Sequence, residues 1–138
     1  MFENQPLKYA PAVLPATDLT NASNCYWRMF CSSGIENAPT IPATIYSTGC
    51  FYEMFKDCSN LVTAPALLAT TLRVSSCVRM FYRCSKLMAL TCLATLPMDA
   101  GTTTDWLYGV PTYGIFTKSP SMNAWTRDSS GIDRKSVV

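Results

Sequence analysis

The residues best suited to chemistry in this chain are its seven cysteines, because its 138 residues include no histidine. Without an imidazole, a cysteine or serine nucleophile loses its usual base and a transition-metal site its commonest ligand. Cys25, Cys50 and Cys77 recur in one register and Cys58 and Cys84 in another. This predicts two ladders of small, buried, apolar side chains rather than a reactive cluster. Disulfides between ladder neighbours are the second reading, although side chains that run parallel on adjacent strands suit a bridge poorly. A cysteine-only zinc centre is weaker still, since no Cys-x-x-Cys pair is present. Cys31 and Cys92 stand outside both ladders and are the candidates for accessible thiols. A thiol enzyme would need one of them, with a depressed pKa.

Other chemistries find less support. The nine acidic residues are scattered, with no pair suggesting a two-carboxylate glycosidase, and no glycine-rich phosphate loop occurs. The chain is therefore expected not to be an enzyme, and to need no cofactor or metal. The eleven basic residues are also dispersed and the net charge is only +2, so no nucleic-acid partner is expected. No stretch approaches the roughly 18 apolar residues of a membrane span. Met1-Phe2-Glu3-Asn4 lacks the charged-then-apolar pattern of a secretory signal. An odd cysteine count leaves the redox compartment open.

The elements that would position these residues follow from an internal repeat. Met29-Phe30, Met54-Phe55, Met80-Phe81 and Trp106-Leu107 lie 25, 26 and 26 residues apart. Ala10-Pro11, Ala38-Pro39, Ala64-Pro65 and Ala89-Leu90 recur once per unit, 28, 26 and 25 residues apart, and Met1-Phe2, 28 residues before Met29, is a further copy, so the chain is expected to begin inside a repeat. In the clearest unit, Cys50, Phe51, Met54, Phe55 and Cys58 fall on one stripe of a helix capped by Ser47 or Thr48. Tyr52, Glu53, Lys56 and Asp57 then face water. Leu61-Val62-Thr63-Ala64 reads as a short strand stopped by Pro65. No such unit can bury its own apolar stripe, so the units must stack. The expected fold is α/β: a leucine-rich-repeat solenoid of about four 25–26-residue strand–helix repeats over residues 1–110, its first repeat incomplete. Residues 111–138 form a C-terminal capping segment, its end a candidate for disorder.

The pattern Cys-Tyr-x-x-Met-Phe-x-x-Cys-x-x-Leu-x-x-Ala-Pro-x-Leu, clearest at residues 50 to 67 with Phe51 in the tyrosine position, resembles the BspA-like leucine-rich-repeat surface proteins of gut bacteria. Trp106-Leu107-Tyr108-Gly109-Val110, Gly114-x-Phe116-x-Lys118, Met122-x-x-Trp125 and Gly131-Ile132 are similar to that family's closing segment. The resemblance implies a right-handed superhelix, a cell-surface location and roles in adhesion or contact with host proteins. Two departures are present: Gln5-Pro6 stands where the family carries a cysteine and one more residue, and Asp133-Arg134-Lys135-Ser136 replaces a Pro-x-Gly-Trp ending. They suggest a gene fragment or a derived small protein, which leaves the location unknown, a cytoplasmic one being open as well.

Function is then expected of the surface, as a non-catalytic module that binds another protein. One candidate patch is the concave strand stripe Lys8, Tyr9, Glu36, Asn37, Val62, Thr63 and Met88. The rival is the outward helix side, with Trp27, Arg28, Tyr52, Arg79, Tyr82 and Arg83, whose aromatic and arginine content is that of binding hot spots. An alternative function is a small intracellular or phage-associated inhibitor that blocks one target. An uncapped first edge near Leu7-Lys8-Tyr9-Ala10 would also favour a homo-oligomer.

Overall fold

The computed structural model describes residues 4, 6–95, 101–132 and 135–138. The Met1-Phe2 landmark, Gln5 and Asp133-Arg134 lie outside these residues. The chain winds into stacked coils. On one side they are joined by a parallel ladder whose rungs run Tyr9, Asn37, Thr63, Ala89, Ile115 and Ser136. Most rungs are isolated bridges, and regular strands form only toward the C-terminal end: β1 (Ala89–Cys92), β2 (Ile115–Lys118) and β3 (Ser136–Val137), in the order β1-β2-β3. The strand expected over Leu61–Ala64 shrinks to a bridge at Thr63. The chain nevertheless carries the ladder past Pro65, because Ala64 N donates to Ala89 O and Leu67 N to Thr91 O on either side of it.

The expected helices do not form: no helix occurs among the described residues, and the α/β strand–helix solenoid is corrected to coils closed by runs of turns. The reason lies in the backbone hydrogen bonds. In the run from Ala22 to Ser33, every second amide closes a turn onto the carbonyl three residues back: Cys25 on Ala22, Trp27 on Asn24, Met29 on Tyr26. The amides between them reach the next coil instead, Tyr26 to Cys50, Arg28 to Tyr52 and Phe30 to Met54. An α-helix spends its amides on its own carbonyls four residues back and has none left to tie coils together. The turn run also needs a left-handed residue at every fourth position, found at Asn24, Arg28 and Ser32, at Gly49, Glu53 and Asp57, and at Ser75, Arg79 and Arg83. Such φ values exclude a right-handed helix.

The apolar stripe faces inward regardless. Phe30, Phe55 and Phe81 are fully buried and stack one coil above another, with ring centroids 5.5 and 5.7 Å apart. The column continues through Trp106, 6.3 Å from Phe81, to Trp125, which lies 5.4 Å from Trp106 and within 7° of parallel. Cys58 and Cys84 sit beside it, and each thiol donates to the carbonyl of a phenylalanine in the preceding coil, Phe30 and Phe55, at 3.0 Å. Trp106 Nε1 donates to Gly131 O at 2.8 Å, joining the column to the C-terminal segment.

Candidate protein-binding surface

The two candidate patches fall on opposite kinds of backbone. On the ladder side, Tyr9 is 66% exposed and Lys8 pairs with Glu36 at 3.3 Å. Lys8 and Glu36 are both well solvated, and such a pair contributes little. Asn37 and Thr63 are exposed rungs of the ladder, Val62 is exposed, and Met88 is half-buried. Glu36, Asn37 and Val62 line a shallow depression of about 340 Å³ together with Asn60 and Lys86, which bond to each other at 3.0 Å. Tyr113 and Ile115 extend this exposed strip and were not picked out from sequence.

The turn side is more tightly organised. Glu53, expected in water, is instead buried at 6% exposure, at a left-handed corner of the turn run with cationic side chains drawn onto it. Its carboxylate receives cations from three coils: Arg28 Nε at 3.4 Å from the coil before, Lys56 Nζ at 3.3 Å from its own, and Arg79 Nη1 at 3.7 Å from the coil after. Arg28, Glu53, Arg79 and Asp105 occupy equivalent corners with φ near +50°, so charge alternates in sign from coil to coil along one row. One row over, Arg83 Nε lies 3.5 Å from Asp57.

Aromatic rings are placed among these cations. Arg79 Cζ lies 5.5 Å and Lys56 Nζ 5.8 Å from the Tyr82 ring centre. Tyr82 stacks on Tyr108 at 4.9 Å, with the planes within 13°. Arg28 Cζ lies 5.9 Å from the Trp27 ring, itself 44% exposed. Tyr52 is half-buried and joined to this row through its carbonyl, which accepts from Arg28 N at 3.0 Å. The structure thus links Trp27, Arg28, Arg79 and Tyr82 through Glu53 and Lys56, and leaves Arg83 on the adjacent Asp57 row. Glu53, Lys56 and Tyr108 were missed as members. For Glu53 the signal was the repeat itself, since opposite charges at one register position, Arg28, Glu53 and Arg79, mark a ladder of pairs, and Tyr108 shares its register with Tyr82.

Cys31 and Cys92, expected to be accessible, are buried at 1% and 0% exposure. Cys92 follows the β1 alternation inward, and burial pushes its thiol up to about 12. Cys25 is the exposed member of its ladder, and partial burial still raises its thiol above the ordinary range. All seven cysteines are free.

The chain matches no family model, no curated protein and no solved structure. Among the described residues no helix is long and apolar enough to cross a membrane.

Proposed function

We propose that this chain is a non-catalytic protein-binding module of adhesin-like ancestry, and that it meets its partner through the turn side. The observation that carries this reading is Tyr82, half-exposed with Arg79 and Lys56 near its ring and Tyr108 stacked against it. Aromatic and arginine side chains supply most of the energy of protein interfaces. Here Glu53 already fixes the arginines, so less side-chain freedom is lost on binding. The ladder side has one such group, Lys8 between Glu36 at 3.3 Å and the Tyr9 ring at 5.6 Å, but there each carboxylate meets one cation and no arginine is present among these residues.

The test is capture of partners from host and bacterial lysates by the full chain, with Tyr82→Ala and Arg83→Ala compared against Tyr9→Ala and Val62→Ser. Loss of a specific captured protein with the turn-side pair, at least about tenfold in affinity, is expected of hot-spot residues. Loss only with the ladder-side pair would move the contact to that face. Retention by all four variants would remove both surfaces from consideration.

A further inference from the structure

On the ladder side, the coil carrying Asn37 and the coil carrying Thr63 meet along a seam. At the junction before it, Leu14 N donates to Thr40 O and Thr40 N to Ala12 O, and at the junction after it, Ala64 N donates to Ala89 O and Met88 N to Val62 O. The counterparts of Ala64 and Met88 one coil earlier are Ala38 and Val62, and neither amide donates to a backbone carbonyl. Asn37 and Thr63 still face each other as a rung, yet among the described residues no backbone hydrogen bond joins these two coils on this side. On the turn side the same coils are tied by a regular series, from Gly49 N to Val74 O through Asp57 N to Tyr82 O. The seam is therefore local to the ladder.

Two depressions open along this seam, and Asn37 lines both. The one of about 340 Å³ also holds Glu36, Asn60, Val62 and Lys86. The other, of about 310 Å³, includes Ala38, Pro39, Thr40, Thr63, Pro65 and Ala66. Its apolar lining is made of small side chains, and its prolines have no amide to give. Charge is balanced and committed. Glu36 pairs with Lys8 at 3.3 Å, Lys86 Nζ donates to Asn60 Oδ1 at 3.0 Å, and the second depression has no charged lining at all. What the seam offers is the amide and hydroxyl chemistry of Asn37, Asn60, Thr40 and Thr63, of which Asn37, Thr40 and Thr63 are exposed and Asn60 half-buried.

We propose that this seam binds a neutral polysaccharide chain, laid along the two coils across the Asn37–Thr63 rung. Each sugar hydroxyl both donates and accepts, which matches carboxamides and hydroxyls that do the same. The C–H faces of the sugar rings then rest on the alanines and prolines of the second depression, removing apolar surface from water. A charged ligand gains little, since the charged side chains of the lining already have partners. A peptide strand fits less well: it adds to a sheet through an open edge, whereas here the backbones of two coils face each other. The seam lies away from the turn-side surface, so either reading can fail alone.

The experiment follows the full chain, labelled with nitrogen-15, by its backbone amide signals and the side-chain amide signals of Asn37 and Asn60. Maltohexaose, cellohexaose and the hexamer of N-acetylglucosamine are titrated as neutral probes. Hexagalacturonate serves as the charged control and acetyl-(Ser-Val)3-amide as the peptide control. The expected result is a saturable movement of the Asn37 and Asn60 side-chain signals, with the backbone signals of Ala38, Val62 and Thr63, for at least one neutral sugar and for neither control. Asn37→Ala removes the amide shared by both depressions and should weaken that binding about tenfold. Ala66→Trp should weaken it at least as much by filling the second depression, and because Ala66 is exposed the new ring need not enter the core. The two variants sit on different coils, so misfolding of one leaves the other to report. Silence of these signals with all three neutral sugars, an equal response to hexagalacturonate, a response to the peptide alone, or undiminished binding by the folded variants would each overturn the proposal.

Discussion

Glu53 Oε2 lies 3.4 Å from Arg28 Nε across the gap between two coils, and the carboxylate is nearly sealed from water. Arg28, Lys56 and Arg79 retain partial exposure, between 24% and 44% at the side chain, so solvent screening reduces each pair well below a fully buried one. Glu53→Gln keeps the shape and removes the charge that three cations share. The expected loss is about 1–3 kcal/mol in urea unfolding. Asp57→Asn, on the more exposed Asp57–Arg83 pair, should change stability by less than about 1 kcal/mol. Equal effects would mean that Glu53 is not the hub described.

Phe55 gives a second, larger effect. Its ring is sandwiched between Phe30 and Phe81, at 5.5 and 5.7 Å, with no exposure. Phe55→Ala should cost about 3–5 kcal/mol, because the ring's transfer energy is lost and the rings above and below hold the void open. Phe55→Leu should recover much of that. A drop in the urea midpoint no greater than that of half-exposed Tyr82→Ala would contradict the shared column.

That Phe30, Phe55 and Phe81 belong to one core was legible from their recurrence. The backbone that carries them was not. A stripe at Cys50, Phe51, Met54, Phe55 and Cys58 fits a helix of 3.6 residues per turn and a run of turns with a four-residue period almost equally well over nine positions. The deciding mark was on the other face. Gly49 and Gly101 recur in register with Asn24, and Asp57 with Ser32 and Gly109, all types that tolerate or bond locally in the left-handed region. Arg28, Glu53 and Arg79 obscured that mark, since long side chains seldom adopt such φ values, and reading them as helical sent Glu53 outward to water. Cys31 and Cys92 were misplaced for a related reason: standing outside a ladder does not by itself place a residue outside the core. The crowding of arginine and aromatic types on the turn side was readable by composition, while the link through Glu53 needed the coil register.

Gly114 sits where the ladder turns into β2, at φ +120°, a conformation that side chains rarely take. A Cβ there would also overlap the carbonyl oxygen of Met88, which accepts from Ile115 N at 2.8 Å to hold β1 and β2 together. Gly114→Ala should therefore destabilise the chain by at least about 2 kcal/mol, from backbone strain and a displaced rung. The check is amide exchange: Ile115 should lose protection in the variant, together with Ser136, whose amide donates to Gly114 O. Unchanged protection at Ile115 would show that the rung does not depend on this glycine.

The buried thiols set an alkaline limit on stability. Burial pushes Cys50 from 9.0 up to about 12 and Cys58 to about 11, and it also raises Cys77, Cys84 and the Tyr46 hydroxyl. Each of these groups keeps its proton to higher pH folded than unfolded. Their contribution is thus complete below pH 9 and is lost as pH climbs from the unfolded value through the folded one. Across that window each such thiol lowers stability by up to about 1.4 kcal/mol per pH unit. Urea midpoints should be level from pH 6 to about 8.5 and fall above 9, and Cys50→Ala should lessen the slope while costing some stability at neutral pH. At pH 8, iodoacetamide should modify Cys25, the exposed thiol, and reach the six buried ones only as the chain opens. Rapid labelling of Cys31 or Cys92 in the folded protein, or a midpoint that holds level to pH 11, would place those thiols at the surface instead.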